Sequence, residues 1–254
     1  MISIIVCSRI SGPSRDIHER NVKKTIADEC EYIRIDNTGN EYGLASAYNR
    51  GVDKARGSIC VFMHEDAFFM EMGWGAALRK KFDADPGVGL VGVAGTQHLF
   101  AHDLRWHIAG RPYIRGRVIH ELDKGSRFVL SVLSWDKADA EVVAVDGLFF
   151  AIRTELFNAI RFDADNFHRF HFYDLDICMQ VRQTHRCIVT WDLLLKHLSA
   201  GKNDADWYEA AGKFRRKYRR VLPVSCVPDP PERINPEGAI NYNIKGKAPQ
   251  ITII

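Results

Sequence analysis

Three ionisable side chains, His64, Glu65 and Asp66, directly follow the apolar run 61–63, and a second apolar run, 67–69, follows them. Charged groups beside buried segments are costly unless they are paired, exposed at a strand end or bound to a metal. Residues two apart on an extended chain point to the same side, so His64 and Asp66 could bind one cation. Imidazole and carboxylate suit Mn²⁺, Mg²⁺ or Zn²⁺. A solvated strand end is the alternative.

A second group of carboxylates, Asp174 and Asp176, follows the aromatic-rich segment FHFY at 170–173. One carboxylate can cap a helix start, and two are more than a cap requires. A carboxyl held among aromatic rings can have a raised pKa, which suits a general base. A capped helix with one solvated aspartate explains the same residues without catalysis.

Polar pairs also close two earlier strand-like runs, Ser8 with Arg9 and Asp36 with Asn37. Asp36 and Asn37 together offer a donor and acceptors that could contact a nucleotide base. The same two residues followed by Thr38 and a glycine are also typical of a turn.

Strands and helices alternate over the first 95 residues. Strand-like runs lie at 2–7, 31–36, 58–63 and 88–95, with helical patterns at 14–29, 43–56 and 72–83. This alternation predicts a largely parallel sheet with helices on both faces. Ligands bind beyond the carboxyl ends of such strands, so the polar groups above are predicted to lie at the ligand-binding rim.

The pattern is weaker further along the chain. We predict strands at 117–122, 127–133, 142–153 and 187–191, a short helix at 153–160, a helix from 174 to 185 and a basic amphipathic helix at 203–219. Residues 222–249 are rich in Pro, Asn and Gly and predict an irregular extension, with 250–254 as an edge strand. The loosely spaced His98, His102 and His107 are interpreted as loop histidines and not as zinc ligands.

Composition narrows the class of protein. The chain has 254 residues, 46% hydrophobic and 26% charged, which fits one large α/β domain or two small ones. A net charge of +3 gives no argument for nucleic acid. There is no basic leader, no apolar run of membrane-spanning length and no CxxC pair, so we expect a cytoplasmic protein without disulfides. The basic segment 213–220, KFRRKYRR, is either a solvated face or a peripheral contact with an anionic membrane.

Five segments, taken in order, resemble family 2 glycosyltransferases of the GT-A fold. They are SIIVCSR, YIRIDNTGN, GLASAYNRGVDKARGSICVFMHED, VDGLFFAIRTELF and FHFYDLDICMQVRQTHRCIVTWDLLLKHLSAG. The resemblance covers residues 2–200 except for 96–141. It implies a mixed, mostly parallel central sheet flanked by helices. The implied domain spans 1–221, with a nucleotide-binding half (1–95), an acceptor and catalytic half (96–200) and the extension 222–254.

The resemblance also implies roles for individual residues. His64, Asp66 and His197 would hold Mn²⁺ or Mg²⁺, and Asp174 would be the catalytic base. The nucleotide-sugar contacts would be Ser8, Arg9, Asp36, Asn37, Asn49, Glu65 and Asp146. The expected reaction is inverting transfer from a nucleoside-diphosphate sugar to a hydroxyl of a glycan or glycolipid, in cell-surface polysaccharide or lipopolysaccharide assembly.

Two residues depart from the family pattern that the chain resembles. His64 stands where the DxD motif has its first aspartate, and Tyr173 stands where the EDxD block has its glutamate. Both departures also fit a module that binds sugar nucleotide without turnover. A sugar-phosphate nucleotidyltransferase is the other alternative, although the segment CSRISGPSRD has one glycine where that class has a glycine-rich loop. No GxGxxG follows the first strand, which disfavours a Rossmann dehydrogenase.

Overall fold

The computed structural model describes residues 1–122, 127–199, 201 and 203–244. In this part of the chain the strands are β1 (Ile2–Ser8), β2 (Cys30–Asp36), β3 (Ile59–Met63), β4 (Ala67–Phe69), β5 (Val88–Gly92), β6 (Ala94–Thr96), β7 (His98–Leu99), β8 (Ile114–Leu122), β9 (Arg127–Val132), β10 (Ala140–Val142), β11 (Ala144–Val145), β12 (Phe149–Arg153), β13 (Arg186–Val189), β14 (Leu195–His197), β15 (Val224–Ser225) and β16 (Ile240–Ile244). The α-helices are α1 (Ile17–Thr25), α2 (Leu44–Val52), α3 (Trp74–Ala84), α4 (Tyr173–Val181) and α5 (Ala205–Lys217). Short 3₁₀ helices lie at Gly12–Asp16, Trp106–Ala109 and Thr154–Asn158.

The central sheet has the strand order β10-β13-β5-β12-β3-β1-β2. β1 pairs in parallel with both β2 and β3, whereas β12 is antiparallel to its neighbours β3 and β5. β13, β5, β3, β1 and β2 therefore share one direction, and β10 and β12 run the other way. The prediction of a mixed, mostly parallel sheet is confirmed. β10, β12 and β13, which follow residue 95, complete the sheet begun by the first 95 residues.

Both faces of the central sheet are covered, and all seven residues of β1 are buried. Its alternate residues belong to different cores, as the twofold periodicity of a strand requires. Ile4 and Val6 pack in the core that includes α1 and α3 side chains. Ile5 and Cys7 pack in the core that includes α2 and α4 side chains. The near-continuous apolar run of β1 is explained by this double coverage.

A second set of strands is centred on β8, which pairs with β6, β9 and β14, while β14 also pairs with β4. The predicted irregular extension is correct for much of 222–239 and wrong for β15 and β16. β16 pairs antiparallel with β9 along its full length, and β15 pairs with β7. The edge strand predicted at 250–254 lies outside the described residues.

None of the helices in the described ranges has the length and apolarity needed to cross a bilayer. The cysteines are free thiols. His98 begins β7 and is buried, and His107 lies in the 3₁₀ helix Trp106–Ala109, so their interpretation as loop histidines is wrong.

Candidate functional site

His64, Asp66 and His197 form a cluster at the carboxyl end of β3. One potential ligand atom from each residue lies within 4.8 Å of the others. His64 and Asp66 occupy a tight turn between β3 and β4, in which the Ala67 amide donates to the His64 carbonyl at 3.2 Å. The expectation of an extended chain at this point is wrong, but the turn still directs both side chains to one place. His197 arrives on β14, whose register places it opposite Ala67.

The three side chains are coupled electrostatically. His197 Nε2 lies 3.3 Å from Asp66 Oδ1 and 3.4 Å from His64 Nδ1. Burial favours the neutral form of Asp66, but the contact with His197 outweighs it and holds the pKa of Asp66 below its ordinary value. Burial opposes the charged form of His197, yet Asp66 raises the His197 pKa. Burial, followed by repulsion from His197, lowers the pKa of His64.

Two imidazoles and one carboxylate, with ligand atoms this close together, fit a divalent transition-metal ion. A hydrogen-bonding partner on the other ring nitrogen of His64 accompanies them, as is usual for ligating histidines. His64 Nε2 lies 2.8 Å from the Tyr173 hydroxyl, which itself donates to the Gly147 carbonyl at 3.1 Å. The residues present therefore fit the metal that the sequence predicts at this site.

Asp174 lies in the first turn of α4, which begins after Phe172 in a left-handed conformation. Its Oδ1 accepts a hydrogen bond from the Leu175 amide at 2.9 Å. Burial, followed by repulsion from Asp146, raises the pKa of Asp174 from 3.8 to about 7. A carboxyl that titrates near neutrality is suited to general-base catalysis.

Asp146 follows β11, in the second set of strands, and lies beside Asp174 in the cavity. Its Oδ1 accepts from the Leu148 amide at 2.9 Å, and its Oδ2 accepts from the Trp106 indole at 3.2 Å. The carboxylate is thus held close enough to Asp174 to raise that pKa. Sequence reasoning predicted Asp146 as a nucleotide-sugar contact and gave no sign of this effect on the pKa of Asp174.

Asp176, the alternative to Asp174, is fully buried. Its carboxylate accepts from Lys217 Nζ at 2.6 Å, from the Tyr218 hydroxyl at 2.7 Å and from Gln180 Nε2 at 2.7 Å. These internal partners occupy the carboxylate and tie α4 to α5. Asp176 therefore supports the site through packing and does not face the cavity.

Glu65, the middle residue of the charged triplet, connects the ends of β3 and β1. Its carboxylate accepts from the Ser8 hydroxyl at 2.6 Å and from the amides of Arg9 and Ile10 at 3.0–3.2 Å. The Arg9 guanidinium then lies over the Phe170 ring, 4.5 Å from its centroid. These hydrogen bonds from the loop after β1 stabilise the Glu65 carboxylate and offset part of the free-energy cost of placing it beside buried segments.

Four predicted nucleotide-sugar contacts are not among the residues that line the cavity described below: Ser8, Asp36, Asn37 and Asn49. The buried Asn37 amide both donates to and accepts from the Tyr42 backbone, at 2.8 and 2.9 Å. Asn49 bonds the Phe162 backbone in the same two-point manner, at 2.8 and 3.1 Å. Asp36 is exposed, and its Oδ1 accepts from the Thr38 amide and hydroxyl.

A cavity of about 900 Å³ opens over the cluster. His64, Asp66, Asp146 and Asp174 line one side of it. The other side includes residues that sequence reasoning did not assign to the site: Trp106, His107, His120, Ser131, Gly238 and Asn241. All six lie within 96–141 or in the extension, where no motif is recognisable. Only the fold brings them to the site.

The basic segment 213–220 is partly paired within the protein. Lys217 bonds Asp163 and Asp176, each at 2.6 Å, and Lys213 lies 2.8 Å from Glu209. Arg216 and Arg220 are exposed. Helical spacing predicts a basic face of four residues: Lys213, Arg216, Lys217 and Arg220. Two of them, Lys213 and Lys217, form ion pairs within the protein.

Comparison with known proteins gives a family match. Residues 17–214, well over half of the chain, match the sequence profile of a family described as "Glycosyltransferase like family". The protein "ATP synthase subunits region ORF 6" of Fuscovulum blasticum is 24% identical over 211 residues, covering 79% of this chain and 77% of that protein.

Solved structures resemble the chain in fold. GalNAc-T7 with UDP, GalNAc and Mn²⁺ matches 86% of this chain with a TM-score of 0.59 and 13% identity. The mannosyltransferase PcManGT of Pyrobaculum calidifontis, in complex with GDP-Man and Mn²⁺, matches 87% with a TM-score of 0.52 and 16% identity. The chain spans 48% and 61% of the lengths of these two proteins. Both likenesses show the GT-A fold, as the sequence predicts.

Proposed function

The chain belongs to the glycosyltransferase-like family, and from this premise we propose that it transfers a sugar from a nucleoside-diphosphate sugar to a hydroxyl acceptor with inversion. The observation that carries the proposal is the joint placement of two groups on one cavity. One is the His64–Asp66–His197 cluster, of which His64 and Asp66 line the cavity, and the other is Asp174 with its pKa near 7. A metal site beside a base is the arrangement that such a transfer needs.

His64, Asp66 and His197 would hold the divalent cation, with Mn²⁺ favoured over Mg²⁺ because two of the three donors are imidazoles. When bound, the ion neutralises charge on the departing nucleoside diphosphate, worth several kcal/mol in the transition state. The two solved structures with Mn²⁺ and a nucleotide support this choice of ion for the present chain.

The donor would lie over the carboxyl ends of β1, β2 and β3. Arg9 lines the cavity and supplies positive charge for the diphosphate. Asp36 ends β2 directly beside Ser8 in the sheet register, and we assign it to the base. Glu65 and Ser8 act by holding the Arg9 loop, and Asn37 and Asn49 act by fixing the backbones of residues 42 and 162.

Asp174 would accept the proton of the attacking hydroxyl. A positioned base contributes about 10²- to 10⁴-fold. The acceptor, a glycan or glycolipid, would enter beside Trp106, His107 and His120, on the cavity wall formed by the second half of the chain and the extension. A role in polysaccharide or lipopolysaccharide assembly at the cytoplasmic membrane surface fits such an acceptor.

The test is turnover of nucleotide sugars with Mn²⁺. UDP- and GDP-linked hexoses are first screened by thermal shift with and without Mn²⁺, because a ligand that binds the folded state stabilises it. The stabilising donor is then assayed for release of nucleoside diphosphate, alone and with glycan or glycolipid acceptors. We expect Mn²⁺-dependent release that rises with the correct acceptor.

Two results would oppose the proposal. Tight donor binding with no release for any acceptor would favour the non-catalytic binding module. Formation of a nucleotide sugar from a nucleoside triphosphate and a sugar phosphate would favour the nucleotidyltransferase. The product's anomeric configuration, read by proton NMR, tests inversion separately.

A further inference from the structure

The His64 ring has a hydrogen-bond partner at each nitrogen. Nε2 lies 2.8 Å from the Tyr173 hydroxyl, and Nδ1 lies 3.4 Å from His197 Nε2 inside the metal-ligand cluster. His64 and Tyr173 are also the two positions at which the sequence departs from the pattern it resembles. The structure brings these two residues into direct contact.

The direction of the contact follows from the third member of the chain, Gly147. The Tyr173 hydroxyl is 3.1 Å from the Gly147 carbonyl oxygen, which can only accept. The hydroxyl has a single hydrogen, and this contact uses it. Both contacts can be hydrogen bonds at the same time only if His64 donates from Nε2–H to the hydroxyl oxygen. A neutral His64 ring with its hydrogen on Nε2 has its lone pair on Nδ1.

We propose that Tyr173 is a positioning residue that fixes His64 in the Nε2–H tautomer, so that Nδ1 is presented as the metal ligand beside Asp66 and His197. The partner of the second ring nitrogen generally decides which nitrogen of a histidine binds a metal. This inference rests on the proposed metal site and gives Tyr173 the role of orienting one of its ligands.

The loop that follows β11 is shaped to support this contact. A Cβ on Gly147 would lie 2.1 Å from the Tyr173 hydroxyl oxygen, so only glycine lets the hydroxyl approach the backbone. The next residue, Leu148, accepts from the His64 backbone amide at 3.0 Å, and its own amide is held by Asp146. The same loop thus fixes the backbone of His64 directly and its ring through Tyr173.

The Tyr173 ring also packs in the core, and an experiment must separate this packing from the orientation of His64 by the hydroxyl. Its ring packs against Tyr48, with the centroids 5.5 Å apart, and both residues are buried. The Tyr48 hydroxyl is buried, and no residue in the described part of the chain forms a hydrogen bond with it. Tyr173→Phe removes the hydroxyl and keeps the ring, and Tyr48→Phe is a matched control that removes a neighbouring hydroxyl outside the chain of contacts.

The first measurement is the tautomer of His64 in metal-free protein, by long-range proton–nitrogen NMR on ¹⁵N-histidine-labelled protein, with His64→Gln to assign the signal. We expect the Nε2–H form in the wild type and in Tyr48→Phe, and a mixture or the other form in Tyr173→Phe. The second is calorimetric titration of Mn²⁺ in the presence of UDP. We expect the Tyr173→Phe dissociation constant to rise about tenfold or more, with Tyr48→Phe unchanged.

A double-mutant comparison separates orientation from packing. In a His64→Asp background the metal ligand is a carboxylate, which has no ring tautomer for Tyr173 to select. Tyr173→Phe should therefore change the Mn²⁺ affinity of that variant little. An equal loss in both backgrounds would overturn the proposal, as would an Nδ1–H signal in the wild type. Absence of any Mn²⁺ binding in the wild type would instead contradict the proposed function, while the tautomer in metal-free protein would still decide the present inference.

Discussion

Replacing Asp174 with asparagine should make the protein more stable at neutral pH while removing its activity. The carboxyl group of Asp174 has a pKa of about 7 in the folded protein, raised from 3.8 by burial and then by Asp146. Asparagine keeps the shape and can still accept from the Leu175 amide, but it cannot ionise. The substitution therefore removes the cost of a charge in this environment.

The size and pH dependence of the gain follow from linkage. The unfolded chain ionises Asp174 near pH 4, whereas the folded chain keeps it neutral until about pH 7. Because the folded-state pKa is raised, the wild type loses stability as pH rises between these values, and the loss is complete above pH 7. Each pKa unit is worth about 1.4 kcal/mol, so Asp174→Asn should gain about 4 kcal/mol by pH 8 and little at pH 4.

The assay is urea denaturation of both proteins at several pH values from 4 to 8, with EDTA present to remove metal. Asp204→Asn is the control, because Asp204 is an exposed helix cap whose pKa is lowered by the Trp207 amide. Because the lowered pKa means that the charged form stabilises the folded state, Asp204→Asn should lower the free energy of unfolding at neutral pH, whereas Asp174→Asn should raise it. In parallel, transfer by Asp174→Asn should fall by about two orders of magnitude or more. A difference for Asp174→Asn that does not vary with pH would refute the raised pKa and remove the electrostatic support for this base.

Three other predictions concern the surroundings of the site. Lys217→Met should destabilise the protein by about 3 kcal/mol in urea denaturation, since it leaves the buried Asp176 carboxylate unpaired. Lys213→Met, which breaks a surface pair with Glu209 and a contact with His168, should cost less than about 1 kcal/mol. Equal losses in the two variants would count against a larger contribution from the buried pair. Gly147→Ala should destabilise the protein by about 1–3 kcal/mol and weaken Mn²⁺ binding, because the added Cβ would overlap the Tyr173 hydroxyl. A variant with the same stability and Mn²⁺ affinity as the wild type would contradict this close approach. Co-sedimentation with anionic vesicles at low salt should depend on Arg216 and Arg220, at about 1 kcal/mol each, and its absence would leave a solvated surface.

Sequence reasoning located the centre of the site because parallel strands place their carboxyl ends together. The apolar runs that end at Ser8, Asp36 and Met63 are strands β1, β2 and β3, and their polar ends are adjacent in the sheet. His197 was assigned through resemblance alone. It lies on a three-residue strand, which is too short for a periodic pattern to reveal.

Roles that depend on distant backbone partners could not be predicted. Asn49 bonds the backbone of Phe162, which is 113 residues away, and this contact has no local signal. Helical spacing placed Lys217 on a basic face, but Asp163 and Asp176 pair with it only in the folded chain. β16 was missed because its residues read INYNI in a Pro-, Asn- and Gly-rich segment, and its pairing with β9 is non-local.

The central claim is that His64, Asp66 and His197 bind a divalent cation together with a nucleoside diphosphate. The most direct measurement is calorimetric titration of UDP and GDP into wild-type protein and Asp66→Ala, each with Mn²⁺ and with EDTA. We expect Mn²⁺-dependent binding of one nucleotide by the wild type. We expect loss of that dependence in Asp66→Ala, whose fold is checked by circular dichroism. Equal Mn²⁺-dependent affinity in the two proteins would contradict the metal assignment.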